Sequence, residues 1–175
     1  TTAALQIEAN SRLGYSAKTT MSAAQGLYQS GLITYHRTDS LNLSNEAIDN
    51  ISSYIKQNFG DDYLQVRHFR TKDVSAQEAH EAIRPTNINQ EIAGKNDYEK
   101  RLYQLIRTRT LATQMKSAKI AKTTVDIIPD VQPDLHFIAK GEVVIFDGFL
   151  KVYGKNKDTL LPKLEPNDVL DMHDL

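Results

Sequence analysis

Apolar residues recur at helical spacing through the first two thirds of the chain. Their periodicity over residues 2–13 predicts a helix, and Gly14 directly after it suits a left-handed C-terminal cap. Ser16 is a good N-cap for a second helix that ends before Gly31. One face of this second helix is predicted to carry four residues spaced four, three and four apart: Ala17, Met21, Ala24 and Tyr28.

The next four residues, 32–35, are mostly apolar and β-branched or aromatic, which predicts a short strand. Two helices joined by a short glycine-containing turn and followed by a strand match a helix-turn-helix with a wing-like continuation. The same order of elements fits an ordinary αα-hairpin. The pattern of residues alone therefore leaves both interpretations open.

Three more helices are predicted before the apolar period changes. Ser44 caps the first of them, whose buried side is predicted to hold three isoleucines: Ile48, Ile51 and Ile55. A capping box at residues 75–78 begins a short helix that Pro85 stops. Asp97 caps a long helix that runs to about Lys116. The inward side of this helix is predicted to carry four residues: Tyr98, Leu102, Leu105 and Ala112.

From about Lys119 the apolar period becomes two, which is typical of strands. Proline and glycine separate the predicted strands, which lie near 120–127, 135–138, 143–146, 149–153 and 169–172. The chain is therefore predicted to be α+β. We assign a mainly helical domain to residues 1–118 and a strand-rich segment to residues 119–175.

Composition and charge sharpen this division. The 175 residues include no cysteine, which excludes disulfides, thiolate catalysis and zinc ribbons within the chain. The net charge of -1 is an average, because residues 1–120 carry 15 basic and 12 acidic side chains, whereas residues 121–175 carry 6 and 10. No apolar run is long enough to cross a bilayer. Since the chain begins with Thr1 rather than Met, we expect it to be a piece of a longer protein.

Residues 35–40, Tyr-His-Arg-Thr-Asp-Ser, form the densest cluster of reactive groups. If the backbone stays extended after the predicted strand, Tyr35 and Arg37 project from the same face. A protonated tyrosine hydroxyl is a weak nucleophile, and a neighbouring guanidinium favours the phenolate and can bind a phosphate through two parallel hydrogen bonds. The pair therefore suits attack on a phosphodiester. A tyrosine that simply packs at a strand end is the alternative.

A second cluster spans residues 80–84, His-Glu-Ala-Ile-Arg. It differs from the zinc-protease pattern because Arg84 occupies the place of the second histidine, and a guanidinium does not bind zinc. On a helix, His80 and Arg84 would share a face and could hold a phosphate, although a packed histidine and a solvated arginine fit equally. The stretch 67–119, with 11 basic and 6 acidic residues, is either a solvated surface or one wall of a nucleic-acid groove.

Together these segments resemble the type IA DNA topoisomerases, and within them the bacterial topoisomerase I branch. Residues 31–40, GLITYHRTDS, are similar to the active-site tyrosine motif of this family, and residues 79–86, AHEAIRPT, to its second signature. Four further stretches are similar to the helix and strands that follow: 102–106, 111–115, 146–149 and 160–162. The resemblance covers essentially the whole chain. One departure is His36, where bacterial members often have methionine.

The resemblance implies an ATP-independent isomerase that relaxes negatively supercoiled DNA. Tyr35 would attack a phosphodiester in a single strand and form a 5′-phosphotyrosine link, and Arg37 would position the scissile phosphate. The other strand would pass through the gap before the break is resealed. His80 would contact the DNA backbone, and we add Arg84 as a DNA-binding candidate because of its spacing from His80.

The resemblance also implies an architecture. Residues 1–118 would be the tyrosine-carrying domain, with the helix-turn-helix character of catabolite-activator proteins, and residues 119–175 an incomplete returning segment of the gate domain. The magnesium-binding domain of the family would lie outside this piece, so the piece would bind no cofactor and would not relax DNA alone. Its partners would be single-stranded DNA, negatively supercoiled DNA and the remaining domains of the same polypeptide, in the bacterial cytoplasm with the nucleoid and without a membrane.

Two other classes compete with this interpretation. A non-catalytic winged-helix DNA-binding module would explain the helix–turn–helix–strand order and the basic stretch 67–119. A tyrosine recombinase ranks last, because that class needs a His-x-x-Arg ahead of its tyrosine and none precedes Tyr35.

Overall fold

The structure, a computed structural model, describes residues 1–69, 81–130, 132–154 and 158–170. Its regular elements, in chain order, are α1 (Thr2–Leu13), α2 (Ala17–Gln29), α3 (Asn45–Phe59), α4 (Asp97–Thr113), β1 (Lys119–Ile127), β2 (Phe137–Phe146) and α5 (Leu150–Tyr153). A short 3-10 turn, Asp61–Tyr63, follows α3. This combination of helices with an antiparallel sheet confirms the predicted α+β class.

The chain forms two compact units. The first comprises Thr1–Ser117 together with Gly148–Gly154, and the second comprises Ala118–Asp147 and Lys155–Leu175. The short helix α5 thus packs with the helical unit, although the sheet separates it from that unit along the chain. The assignment of residues 1–118 and 119–175 to two domains of a longer protein stays a prediction.

Side-chain caps fix the starts of the long helices, largely as the sequence predicts. The hydroxyls of Ser16 and Ser44 accept hydrogen bonds from the third amide of α2 and α3, and Gly14 ends α1 with a φ of 70°. The N-cap of α4 is Asn96 rather than the predicted Asp97, and the helix ends at Thr113. The prediction was wrong by one residue at the start of α4 and by about three at its end.

The buried face of α2 is rotated from the predicted one. Its buried residues are Thr20, Ala23, Ala24 and Leu27, so only Ala24 is shared with the predicted face. Tyr28 is 42% exposed. Thr20 can be buried because its hydroxyl donates to the carbonyl of Ser16 in the preceding turn, 2.9 Å away. A pattern based on apolar side chains could not predict a buried threonine.

Two apolar clusters stabilise the helical unit. The first joins α1, α2 and α4 and includes Leu5, Ala9, Leu27, Ile33, Leu102, Tyr103 and Ile106. The second joins α3 with the end of α4 and includes Ile51, Ile55, Ile88, Leu111 and Met115. The prediction that Leu102 and Leu105 face inward from α4 is confirmed. The same prediction for Tyr98 was wrong, because its side chain is 59% exposed.

Residues 149–153 were predicted to be a strand, and this was wrong. Leu150–Tyr153 is a turn of helix, and Phe149 and Val152 pack against the second apolar cluster. The amide of Phe149 donates to the carbonyl of Lys116, 2.9 Å away, which attaches the turn to the end of the helical unit. A run of apolar residues this short fits both the helical period and the strand period, so tertiary packing decides which structure forms.

The predicted strand at 32–35 is also absent. Ile33 forms a single antiparallel bridge with Pro85, and the described residues extend this bridge on neither side into a ladder. Proline has no backbone N–H, so Pro85 cannot donate a hydrogen bond to Ile33. The backbone hydrogen bonds around this bridge are made by the flanking residues, from Thr34 to Arg84 and from Thr86 to Leu32. Residues 81–84 are not helical, so the helical spacing proposed for His80 and Arg84 does not hold over the described part of that stretch. The helix predicted from residues 75–78 lies outside the described residues.

The second unit is built on a two-stranded antiparallel ribbon. β1 and β2 pair from Ile127↔Phe137 to Lys119↔Phe146, with an irregularity between Lys119 and Ile120. The strands predicted at 135–138 and 143–146 are therefore one continuous strand from residue 137. Residues 169 and 170 form no strand, and 171–172 lie outside the described residues. Over the described residues, no helix combines the length and apolarity that a membrane span needs.

A glycine lets α2 and α4 approach each other closely. A Cβ on Gly26 would lie 2.4 Å from Oε1 of Glu99. Glu99 is only 7% exposed, and Oε2 accepts from the amide of Lys95 at 2.7 Å while Oε1 lies 3.3 Å from Nδ2 of Asn96. The carboxylate therefore cannot move aside without losing hydrogen bonds in a buried place.

We expect Gly26→Ala to lower the free energy of unfolding by about 1–3 kcal/mol, because the added methyl overpacks this contact. Ser22→Ala, at an exposed position of the same helix, is the matched control and should change stability by only a few tenths, roughly the difference in helix propensity. Urea unfolding followed by circular dichroism measures both. A Gly26→Ala protein as stable as the Ser22→Ala protein would show that the contact is not tight.

Candidate active site

The segment that contains Tyr35 has alternating burial. From Tyr35 to Ser40 the odd positions are exposed, and the even positions are buried: His36, Thr38 and Ser40 are between 3% and 5% exposed. Burial alternates here although the backbone bends at His36 and Arg37 and pairs with no neighbouring strand, so the extended conformation considered from the sequence does not continue through Arg37. Tyr35 and Arg37 consequently lie on the exposed side, with Tyr35 38% exposed.

The beginning of α1 holds the segment after the tyrosine. The amide of Thr2 donates to the carbonyl of Thr38 at 2.8 Å, and the Thr2 hydroxyl accepts from the amide of Thr38 at 3.0 Å. The same hydroxyl lies 2.9 Å from the carbonyl of His36, to which it donates. One threonine thus satisfies three backbone groups on either side of Arg37 and fixes the backbone there.

A second threonine holds the segment before the tyrosine and joins the two sequence signatures. The Thr34 amide donates to the carbonyl of Arg84 at 2.9 Å, and its hydroxyl accepts from the amide of Arg84 at 2.9 Å and donates to the carbonyl of Ala82 at 2.7 Å. The amide of Thr86 donates to the carbonyl of Leu32 at 3.0 Å. The residues directly before Tyr35 therefore lie against residues 82–86.

The side chain of Arg84 is occupied by an ion pair. Its guanidinium lies 2.6 Å from the Glu81 carboxylate, and its side chain is only 17% exposed. Glu81 also accepts from the amide of Ser44 at 2.6 Å. Burial alone would raise the pKa of Glu81, but the hydrogen bonds from Arg84 and Ser44 and the charge of Arg84 outweigh it and lower that pKa. This pair attaches residues 81–84 to the start of α3.

Two rings lie against the ring of the candidate nucleophile Tyr35. The ring of Tyr28, from the end of α2, meets the ring of Tyr35 edge-on with centroids 5.2 Å apart. His36 lies 5.5 Å from Tyr35 and 5.6 Å from Tyr28. Sequence reasoning missed Tyr28, which it placed only on the apolar face of α2. The sequence signal that could have indicated it is a second tyrosine in the last turn of the helix, seven positions before Tyr35.

The structure brings three of the four candidate residues into one region. Tyr35 and Arg37 are both exposed and two positions apart in the chain, and the backbone of Arg84 is hydrogen-bonded to Thr34. His80 lies outside the described residues. Across the described ranges, no group of three or more acidic or histidine side chains is arranged to hold a metal ion.

Comparisons with known proteins agree on one family. The family model described as DNA topoisomerase matches residues 1–175. DNA topoisomerase 1 of Campylobacter jejuni is 43% identical over 189 aligned residues, which cover 99% of this chain and 27% of that protein. DNA topoisomerase 1 of Helicobacter pylori is 41% identical, with 99% of this chain and 25% of that protein covered.

The fold comparison gives the same result. The full-length topoisomerase I of Thermotoga maritima superposes with a TM-score of 0.79 and 34% sequence identity, over 94% of this chain and 28% of that one. The chain thus spans about a quarter of the length of these relatives. Because the family match extends over all 175 residues, the chain belongs to the DNA topoisomerase family.

Proposed function

We propose that this chain is the part of a type IA DNA topoisomerase, of the bacterial topoisomerase I branch, that carries the strand-cleaving tyrosine. The observation that carries the proposal is the exposed pair Tyr35 and Arg37 on a segment whose backbone is held by threonines on both sides. The whole enzyme would relax negatively supercoiled DNA by cleavage, strand passage and religation, without ATP. This piece alone would not relax DNA.

The proposed chemistry is a reversible transesterification. The Tyr35 hydroxyl loses its proton and attacks a backbone phosphorus of single-stranded DNA, and a bond from phosphorus to the tyrosine oxygen replaces the bond to the 3′ oxygen. The 3′ oxygen leaves and takes up a proton. Arg37 would hold the phosphate oxygens and stabilise their charge in the transition state. Religation reverses these steps, so the energy of the ester bond is conserved and no nucleotide is consumed.

A fixed backbone favours this step. Aligned attack needs the oxygen and the phosphorus to be held within a few tenths of an ångström, and a nucleophile on a loosely attached loop would lose much of that advantage. The two threonines at positions 2 and 34 hold the backbone on both sides of Tyr35. Arg37 lies between the two residues whose carbonyls face Thr2.

The remaining parts of the proposal concern groups outside the described site. Magnesium would act in the full-length enzyme through a domain beyond these 175 residues. The described residues offer no cluster of ligands for it, so no step here is assigned to it. His80 would contact the DNA backbone near the cleavage point. The partners would be single-stranded and negatively supercoiled DNA and the other domains of the polypeptide, in the bacterial cytoplasm.

The structure offers little for the alternative winged-helix module. A wing requires a strand pair after the second helix, and residues 32–35 contribute one bridge, between Ile33 and Pro85. The last residue of this stretch is the exposed Tyr35.

Tyr35→Phe in the full-length enzyme should abolish covalent capture of a single-stranded oligonucleotide, because phenylalanine keeps the ring and removes the attacking oxygen. Denaturing gel electrophoresis of the protein–DNA adduct measures this. Tyr98→Phe is the matched control, since Tyr98 is 59% exposed in α4 and outside the site, and it should retain full capture. Adducts that persist in Tyr35→Phe and map to another residue would refute the proposal.

Arg37→Ala tests DNA binding, whereas Arg84→Ala tests both DNA binding and stability. We expect Arg37→Ala to weaken single-strand binding and to reduce the slope of log affinity against log salt by about 0.7, the value for one phosphate contact. If Arg84 also contacts a phosphate, Arg84→Ala reduces the slope by the same amount. It should also lower the free energy of unfolding by about 1–3 kcal/mol, because Glu81 loses its partner in a partly buried place.

Fluorescence anisotropy over a salt series, together with urea unfolding, separates these outcomes. An unchanged salt slope with reduced stability in Arg84→Ala would show that Arg84 pairs with Glu81 and does not contact a phosphate. An unchanged salt slope in Arg37→Ala would show that Arg37 does not contact a phosphate.

A further inference from the structure

A buried histidine directly follows the candidate nucleophile. His36 is only 4% exposed, although its neighbours Tyr35 and Arg37 both lie on the exposed side. Both of its ring nitrogens are shielded from water, and neither has a hydrogen-bond partner among the described residues. Buried polar atoms nearly always have partners, so this imidazole is an exception that calls for an explanation.

The surroundings of His36 are aromatic. The rings of Tyr35 and Tyr28 lie against it, with centroids at 5.5 and 5.6 Å, and these two rings also touch each other. Each ring of this trio thus contacts the other two. The Thr2 hydroxyl fixes the backbone carbonyl of His36 from the side of α1. The imidazole is therefore a fixed surface that the ring of Tyr35 rests against.

The same surroundings favour the neutral imidazole. Burial lowers the pKa of His36 below its usual range, and the positive charge of Arg37 lowers it further. The ionisable groups that face His36 are the Arg37 guanidinium on its own segment and the hydroxyls of Tyr35 and of Tyr28 from α2; the contact from α1 is the uncharged Thr2. None of these groups is a carboxylate, so no acidic side chain among them would compensate an imidazolium.

We propose that His36 is a positioning residue whose neutral ring, together with Tyr28, holds the ring of Tyr35 in place for attack, and that protonation of His36 releases Tyr35. This inference rests on the proposed function of Tyr35. A buried imidazolium beside Arg37 is unfavourable, and rotation of the ring towards water relieves it. That rotation withdraws one of the two rings that support Tyr35.

The sign of the pH dependence follows from the direction of the pKa change. A base whose pKa is lower in the folded protein binds fewer protons there than in the unfolded chain. His36 therefore costs no stability at pH values above the usual histidine range. As the pH falls through that range towards the lowered pKa, the native arrangement loses stability relative to states in which the ring reaches water. Cleavage should be lost over the same interval.

The test is the pH profile of covalent capture by the full-length enzyme. The initial rate of adduct formation with a single-stranded oligonucleotide is measured from pH 8 down to about pH 5. His36→Phe keeps an aromatic ring without a titrating group, and His36→Met fills similar space without a ring. His136→Met is the control for loss of a histidine, since His136 is an exposed residue paired with Asp126.

We expect the native rate to fall by up to tenfold per pH unit below the pKa of His36, relative to the His36→Phe rate at the same pH. His36→Met should be slower than His36→Phe at neutral pH, because it lacks the ring contact, and should share the flatter profile. His136→Met should follow the native profile. Comparing the variants at each pH cancels any pH dependence of the reaction that all of them share.

An NMR titration provides a readout that needs neither a variant nor activity. The Tyr35 ring resonances should shift together with the His36 imidazole signal, at a pH below the range of an exposed histidine. Identical profiles for native, His36→Phe and His36→Met enzymes would overturn the inference, as would a Tyr35 ring that is insensitive to His36 titration. Absence of any Tyr35 adduct at every pH is a different result, since it would refute the proposed function itself.

Discussion

The hydroxyl of Thr34 is the contact on which the candidate site depends. It accepts one hydrogen bond and donates another to a segment 48 to 50 positions away, and the neighbouring amide donates to that segment as well. Loop closure over such a distance is entropically costly, and a few backbone hydrogen bonds around one bridge between Ile33 and Pro85 stabilise it. The two signatures of the family are thus the two sides of one contact, made by the bridge and the hydrogen bonds of Thr34.

The remainder of the helical unit supports that contact from both sides. α1 supplies Thr2 to the residues after the tyrosine, and α2 supplies the ring of Tyr28. The ion pair of Arg84 with Glu81 attaches the second signature to the start of α3. α1 and α2 therefore each contribute one group to the segment with the tyrosine, and the start of α3 binds the second signature, while the apolar clusters bring the helices together.

The sequence predicts the local features of this structure better than the tertiary ones. The caps at Gly14, Ser16 and Ser44 depend on a few adjacent residues, so they can be predicted from the chain alone. The buried face of α2 and the helical turn at 150–153 depend on what packs against them. In the site, the motif indicates Tyr35 and Arg37. It cannot indicate that Arg84 is paired with Glu81, that Tyr28 reaches Tyr35, or that His36 is buried, because these depend on the tertiary course of the backbone, which the motif does not specify.

The close approach at Gly26 has an evolutionary consequence. The carboxylate of Glu99 fills the space in which any other residue at position 26 would place its Cβ, and a Cβ added at Gly94 would lie 2.7 Å from the Cβ of the same glutamate. A side chain can appear at position 26 only after Glu99 has become shorter, and a shorter residue there would no longer accept from the amide of Lys95. Lineages should therefore exchange these positions together or not at all, so that the helix pair beneath the tyrosine changes more slowly than its exposed surface.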